Sequence, residues 1–154
     1  MKKINWKLLI VSLLIPIVVG GIATLLIKDS INIYDEINKP FFAPPAFLFG
    51  VVWGILYILM GVSLYMVLNS GKSDNISLWY FGLQLLFNFV WPIIFFNCKL
   101  FWLSFVWLLI LDYLVVMMII SFKKINKTSA YLQIPYAVWI AFATILNLAI
   151  AILN

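Results

Sequence analysis

Gln84, Asn88 and Trp91 lie at i, i+4 and i+7 within an apolar run. A helix would place their two amides and one indole N–H on a single stripe. In hydrocarbon an unpaired amide costs on the order of several kcal/mol, so these groups must face other helices or a ligand. Two further lines share that character. Trp53, Tyr57, Gly61 and Tyr65 recur every fourth residue, and Trp139, Ala143 and Asn147 do the same with Tyr136 close by. Such lines offer stacking surfaces, hydrogen-bond donors and acceptors, and gaps where small residues leave room for a planar ligand. The same stripes would also serve plain helix packing, in which Asn88 and Asn147 only bond across helices. Trp6, Trp79 and Trp102 fall near the ends of apolar runs and read as interfacial belt residues.

Acid–base, nucleophilic and metal chemistry find little support. The chain has no His, and its one cysteine, Cys98, has no partner for an intrachain disulfide. No metal site and no firm catalytic residue are expected. Asp112 alone sets a formal charge deep inside an apolar run. An intramembrane acid suggests a relay or ligand partner, against the simpler reading of a structural residue paired to an amide or hydroxyl.

The elements that must position these residues are membrane spans. Of 154 residues 66% are hydrophobic and 10% charged, and the mean hydropathy is +1.16. That leaves too little polar surface for a soluble domain of this size. The reading is an all-α integral membrane protein, one domain over residues 1–154. Five runs approach the roughly 20 residues needed to span a bilayer. They cover residues 6–27, 46–69, 77–96, 101–122 and 130–153. The first has Lys2, Lys3 and Lys7 at its start but exceeds a signal-peptide core of about 7–15 residues, so it is read as a mature helix.

Short polar connections make sequential helices antiparallel neighbours. The exception is a long loop over residues 28–45, where Ile33 and Ile37 suggest a short amphipathic helix and Pro44 and Pro45 open the second span. Prolines 16, 92 and 135 fall within runs and are candidate kinks. Lys2, Lys3, Lys7, Lys72, Lys123, Lys124 and Lys127 lie on one side, against Lys28, Lys39 and Lys99 on the other. The positive-inside rule then puts the N-terminus inside and the long loop outside. Lysines that flank spans do not form a nucleic-acid face.

Three motifs in order resemble the TspO/MBR family, the translocator proteins or peripheral-type benzodiazepine receptors. The first runs from Tyr34 through Asn38-Lys39-Pro40-Phe41-Phe42-Ala43-Pro44-Pro45 to Trp53, Tyr57 and Gly61. The second is Gln84 to Trp91 with Phe95-Phe96, and the third is Pro135-Tyr136-Ala137-Val138-Trp139 with Ala143 and Asn147. The resemblance covers nearly the whole chain. It implies a five-helix bundle with a lid-like first loop, usually a homodimer, binding tetrapyrroles such as protoporphyrin IX and, in addition, benzodiazepine-type drugs.

Carried over, the ligand contacts would be Tyr34, Trp53, Tyr57, Asn88, Trp91, Trp139, Ala143 and Asn147, in a pocket between the second, third and fifth spans. Porphyrin would be a ligand rather than a cofactor. A bacterial member would sit in the cytoplasmic membrane. The family is also associated with light- and oxygen-dependent breakdown of bound porphyrin, for which Trp53 and Trp139 would be the candidate residues. A purely structural or scaffolding membrane protein is the remaining alternative. Two departures stand out. Phe42 replaces the family's usual Trp before the Pro-Pro pair, and the family's fourth-helix acid falls on Trp107. Asp112 lies five residues further on, about 140° around the helix. The C-terminal Tyr and Arg of a proposed sterol motif are absent, so sterol binding is not inferred.

Overall fold

Asn5, Asp74 and Asn126 each begin a helix by turning a side-chain oxygen onto a free backbone N–H, of Leu8, Ser77 and Ser129 respectively, at 3.1, 2.7 and 3.0 Å. In the computed structural model, which describes residues 3–154, the elements are α1 (Trp6–Ile27), α2 (Ile33–Glu36), α3 (Ala46–Asn69), α4 (Asn75–Pro92), a π-helical turn (Ile93–Asn97), α5 (Phe101–Ile125), α6 (Lys127–Leu132) and α7 (Ile134–Leu153). Five stretches are long and apolar enough to cross a membrane: Trp6–Ile27, Ala46–Asn69, Asn75–Asn97, Phe101–Ile125 and Lys127–Leu153. Lys2, counted above on the lysine-rich side, lies outside the described residues.

The first two spans fall where the sequence reading puts them, and the other three are longer. Capping by Asp74 and Asn126 starts the third and fifth earlier. Lys123 and Lys124 extend the fourth, where their charge suits a helix C-terminus. The three prolines behave differently. Pro16 is buried inside an unbroken α1. Pro92 ends the regular part of its span, and the chain continues as a π turn with Cys98 N–H donating to the Ile93 carbonyl at 3.0 Å. Pro135 sits in the first turn of α7, just after a break at Gln133, where proline is tolerated.

Glycine sets the closest helix contact. A Cβ at Gly61 of α3 would lie 2.6 Å from Leu13 Cα of α1, so the two backbones meet directly there. α4 packs on α5 through Phe87 stacked on Trp107, with centroids 4.2 Å apart, and the Trp107 indole donates to the Phe87 carbonyl at 2.8 Å. α5 packs on α7, where the Thr144 hydroxyl donates to the Asp112 carboxylate at 2.8 Å. Asp112 thus has a hydroxyl partner across the helix seam. α6 closes the lysine-rich end against α3, where Ser63 donates to the Ser129 carbonyl at 2.8 Å.

One expected neighbour pair does not form. α3 and α4 follow each other through a short turn, yet they do not pack along their lengths. Tyr136 of α7, fully buried, wedges between them, and its ring meets Trp53 edge-on with centroids 6.1 Å apart.

The long loop lies over the opposite end. Tyr34 in α2 is buried, and its hydroxyl donates to the Pro44 carbonyl at 2.8 Å. Burial, with the Asp35 carboxylate adding to it, pushes this phenol above its ordinary value, so it remains a donor at neutral pH. The Lys39 ammonium donates to the Tyr34 carbonyl and sits 4.9 Å above its ring. A reciprocal amide pair ties the loop to the end of α7. Asn38 N–H donates to Asn154 Oδ1 at 3.0 Å, and Asn154 Nδ2 returns to the Asn38 carbonyl at 2.9 Å.

Candidate ligand site

The splayed α3 and α4 leave a cavity of about 460 Å3 with α1 as its third wall. From α3 it takes Trp53 and Tyr57, whose rings stack with centroids 5.5 Å apart. From α4 come Asn88 and Trp91, and Pro92 closes the same face. α1 contributes Gly20, Gly21 and Thr24. Gly20 is needed for this geometry, because a Cβ there would lie 2.2 Å from the Tyr57 ring. Gly21, Gly50 and Gly54 are different: a Cβ at any of them meets nothing within 4 Å, so their faces look onto open space. Among the described residues the lining carries aromatic, aliphatic, hydroxyl and amide groups and no charged side chain.

Hydrogen bonds fix the polar wall. The Tyr57 hydroxyl donates to Asn88 Oδ1 at 2.9 Å, Asn88 Nδ2 donates to the Tyr136 hydroxyl at 2.9 Å, and that hydroxyl donates to Gln84 Oε1 at 2.8 Å. The chain crosses from α3 to α4 to α7 and back to α4. It holds the Tyr57 ring in place while Asn88 remains on the cavity surface.

The eight residues read from the sequence as ligand contacts separate into three groups. Trp53, Tyr57, Asn88 and Trp91 share the large cavity. Tyr34, Ala143 and Asn147 line a small adjoining chamber of about 20 Å3 beneath the lid, into which Trp91 also reaches. There Asn147 Oδ1 accepts from Trp91 Nε1 at 3.0 Å and from Ser104 Oγ at 2.9 Å, while its Nδ2 donates to the Phe101 carbonyl at 2.8 Å. Trp139 stands apart, on a surface groove between α3 and α7 with Val52, Leu56 and Phe142. Trp53 and Trp139 therefore face different spaces.

The chamber beneath the lid lies between the second, third and fifth spans, with Phe49, Trp91 and Asn147 on its walls, while the larger open volume lies between the first, second and third. Gly20, Gly21, Thr24, Gly50 and Gly54 were not singled out by the sequence reading. A signal was available: Gly50 and Gly54 stand at i, i+4 on the helix face that carries Trp53 and Tyr57, and Gly20-Gly21 interrupts an otherwise bulky span.

Comparison with known proteins gives the chain its family. The model of the TspO/MBR family matches residues 12–153. The tryptophan-rich protein TspO of Archaeoglobus fulgidus is 35% identical over 149 residues, covering 95% of this chain and 96% of its own. The tryptophan-rich sensory protein of Cereibacter sphaeroides is 30% identical, with 79% of this chain and 76% of its own covered. The translocator protein of Ovis aries is 29% identical over 87% of this chain and 82% of its own. The chain is an integral membrane protein and belongs to the TspO/MBR family.

Proposed function

We propose that the protein is a membrane receptor or carrier for tetrapyrroles of the protoporphyrin IX type, which bind in the cavity between α1, α3 and α4. The observation that carries this reading is the shape and chemistry of that cavity. Its volume of about 460 Å3 falls within the usual range for small-molecule pockets, roughly 300–1,000 Å3. A stacked Trp53–Tyr57 pair forms one wall, glycines of α1 form another, and Asn88 supplies polar groups. A flat, extended aromatic ligand suits such a slot, because stacking and dispersion act over its whole face. A cytoplasmic membrane with the N-terminus inside, and assembly as a homodimer, belong to the same reading.

Titration of protoporphyrin IX into the protein in lipid nanodiscs tests it. Saturable quenching or shifting of porphyrin fluorescence at micromolar ligand is expected. Linear partitioning, identical to that of empty nanodiscs, would contradict it. Photodegradation using both Trp53 and Trp139 has less support, since only Trp53 borders the cavity.

A further inference from the structure

The large cavity is not closed on all sides. Its α4 residues, Asn88, Trp91 and Pro92, are buried and form the back wall. The two helices in front differ. Ile17, Gly21 and Thr24 of α1 are exposed, and so are Gly50, Gly54 and Ile58 of α3. These residues carry the cavity out to the surface along the facing edges of α1 and α3. At the three glycines an added Cβ would meet nothing within 4 Å, so no neighbour crowds either edge there.

Helix contacts set where this mouth ends. Toward the lysine-rich side α1 and α3 close on each other: a Cβ at Gly20 would strike the Tyr57 ring, and one at Gly61 would lie 2.6 Å from Leu13 Cα. Toward the lid the Asn97 amide donates to the Leu26 carbonyl at 3.0 Å and ties the π turn to the end of α1. Between these closures Ile17 to Thr24 covers about 10 Å of α1, and Gly50 to Ile58 about 12 Å of α3. On both spans that stretch runs from the middle toward the lid end. The mouth therefore opens into hydrocarbon, in the lid-side half of the bilayer. Its edges are glycine and isoleucine, with one threonine whose hydroxyl is turned back onto the Gly20 carbonyl at 2.9 Å. With the helix backbone bonded internally, such edges face acyl chains without polar cost.

The lid end offers no comparable way in. The Tyr34 hydroxyl is bonded to the Pro44 carbonyl, and the Asn38–Asn154 pair ties the loop to α7. Beneath the lid lies only the small chamber, which Phe49, Trp91 and Phe96 divide from the large one, and Asn147 holds the Trp91 indole in place. Entry from that end would break these bonds. Entry between α1 and α3 breaks none. We propose that the cavity fills from the side: a flat, bilayer-dissolved ligand passes from the lid-side leaflet between α1 and α3, and lipid acyl chains occupy the same mouth when no ligand is bound. The identity of the ligand rests on the tetrapyrrole reading; the openness of the mouth to lipid does not. Gly21, Gly50 and Gly54 then have a shared role, keeping the passage between the two helix edges clear.

Solid-state NMR of ligand-free protein in bilayers, with 13C-labelled glycine and polarisation transfer from lipid acyl protons, tests the mouth without porphyrin. Strong transfer is expected at Gly21, Gly50 and Gly54, and little at the buried Gly20 and Gly61. Absence of acyl transfer at the three exposed glycines would overturn the proposal, because water or a second copy would then cover the mouth. Stopped-flow porphyrin binding in nanodiscs tests the route. Gly21→Leu combined with Gly50→Leu should slow association at least about fivefold and slow dissociation too, whereas Asn154→Ala, which frees the lid, should leave both within about twofold. Slower association paired with faster dissociation would mark damage to the cavity and overturn the assignment of these glycines to a passage. Faster association in Asn154→Ala, or wild-type rates in a folded double-leucine variant, would overturn lateral entry. Failure of the wild-type protein to bind porphyrin at all would remove the tetrapyrrole reading, and the acyl-transfer spectrum would still decide the mouth.

Discussion

Asn88 and Asn147 are the same residue type, both buried inside one bundle, and they do different work. Asn147 makes three hydrogen bonds, with both its oxygen and its nitrogen engaged. Its oxygen takes two donors and its nitrogen reaches the Phe101 carbonyl, joining α4, α5 and α7 beneath the lid around a chamber of only about 20 Å3. Asn88 links Tyr57 to Tyr136 but also borders a cavity more than ten times that volume, and its network runs on to Gln84, whose Nε2 has no partner. In a membrane an amide must be satisfied, and satisfaction takes two forms. A closed cluster is a staple. An open one presents polar groups to whatever enters.

The largest expected effect breaks the staple. Asn147→Ala leaves the Trp91 indole without its acceptor, while Ser104 keeps the Phe101 carbonyl, and should cost about 2 kcal/mol, read as a lowered unfolding midpoint in detergent. Porphyrin affinity of the folded fraction should change little. A loss of affinity without a loss of stability would erase the distinction drawn between the two asparagines.

The next effect separates the cavity from the outer groove. Trp53→Phe removes part of a stacking surface, about 0.5–1.5 kcal/mol, and should weaken porphyrin binding roughly twofold to tenfold. Trp139→Phe should leave affinity unchanged, since its ring lines the α3–α7 groove. Equal losses in the two variants, measured by the same titration, would relocate the ligand.

Smaller still is Asp112→Asn. The new amide oxygen still accepts from Thr144, so stability should stay within about 0.5 kcal/mol and binding should not change. A large loss of either would give Asp112 a role that its partner Thr144, outside the cavity lining, does not suggest.

The smallest effect is confined to the start of α4. Ser77, whose backbone N–H donates to Asp74 Oδ1 at 2.7 Å, holds the Asp74 carboxyl below its ordinary 3.8. Its contribution is therefore complete above that value and is lost as the pH falls through the lowered one. Hydrogen exchange in the first turn of α4 should accelerate at acid pH relative to neutral, once corrected for intrinsic rates. Asp74→Asn, also a good cap, should remove that dependence.

Much of the architecture was legible because lipid enforces it. Apolar length marks the spans, and amides within them mark the interior. Gln84, Asn88, Trp91, Tyr57 and Asn147 all turn inward, as their cost in hydrocarbon demands. What the stripes did not reveal was where volume remains. Between the second, third and fifth spans only the small chamber is open, and the larger volume opens toward α1. The third cavity wall is made by Gly20, Gly21 and Thr24, residues that announce themselves by lacking bulk. Periodicity reads what a helix face carries; it does not read what the opposite face leaves empty.

Gly54→Phe tests the central claim most directly. A Cβ at Gly54 meets nothing within 4 Å and lies on the face of α3 that carries Trp53 and Tyr57, so a larger side chain there extends into the cavity. In nanodiscs the variant should melt within a few degrees of wild type and bind protoporphyrin IX at least about tenfold more weakly, the effect of losing 1.4 kcal/mol or more. Wild-type affinity in a folded Gly54→Phe protein would show that the ligand binds elsewhere.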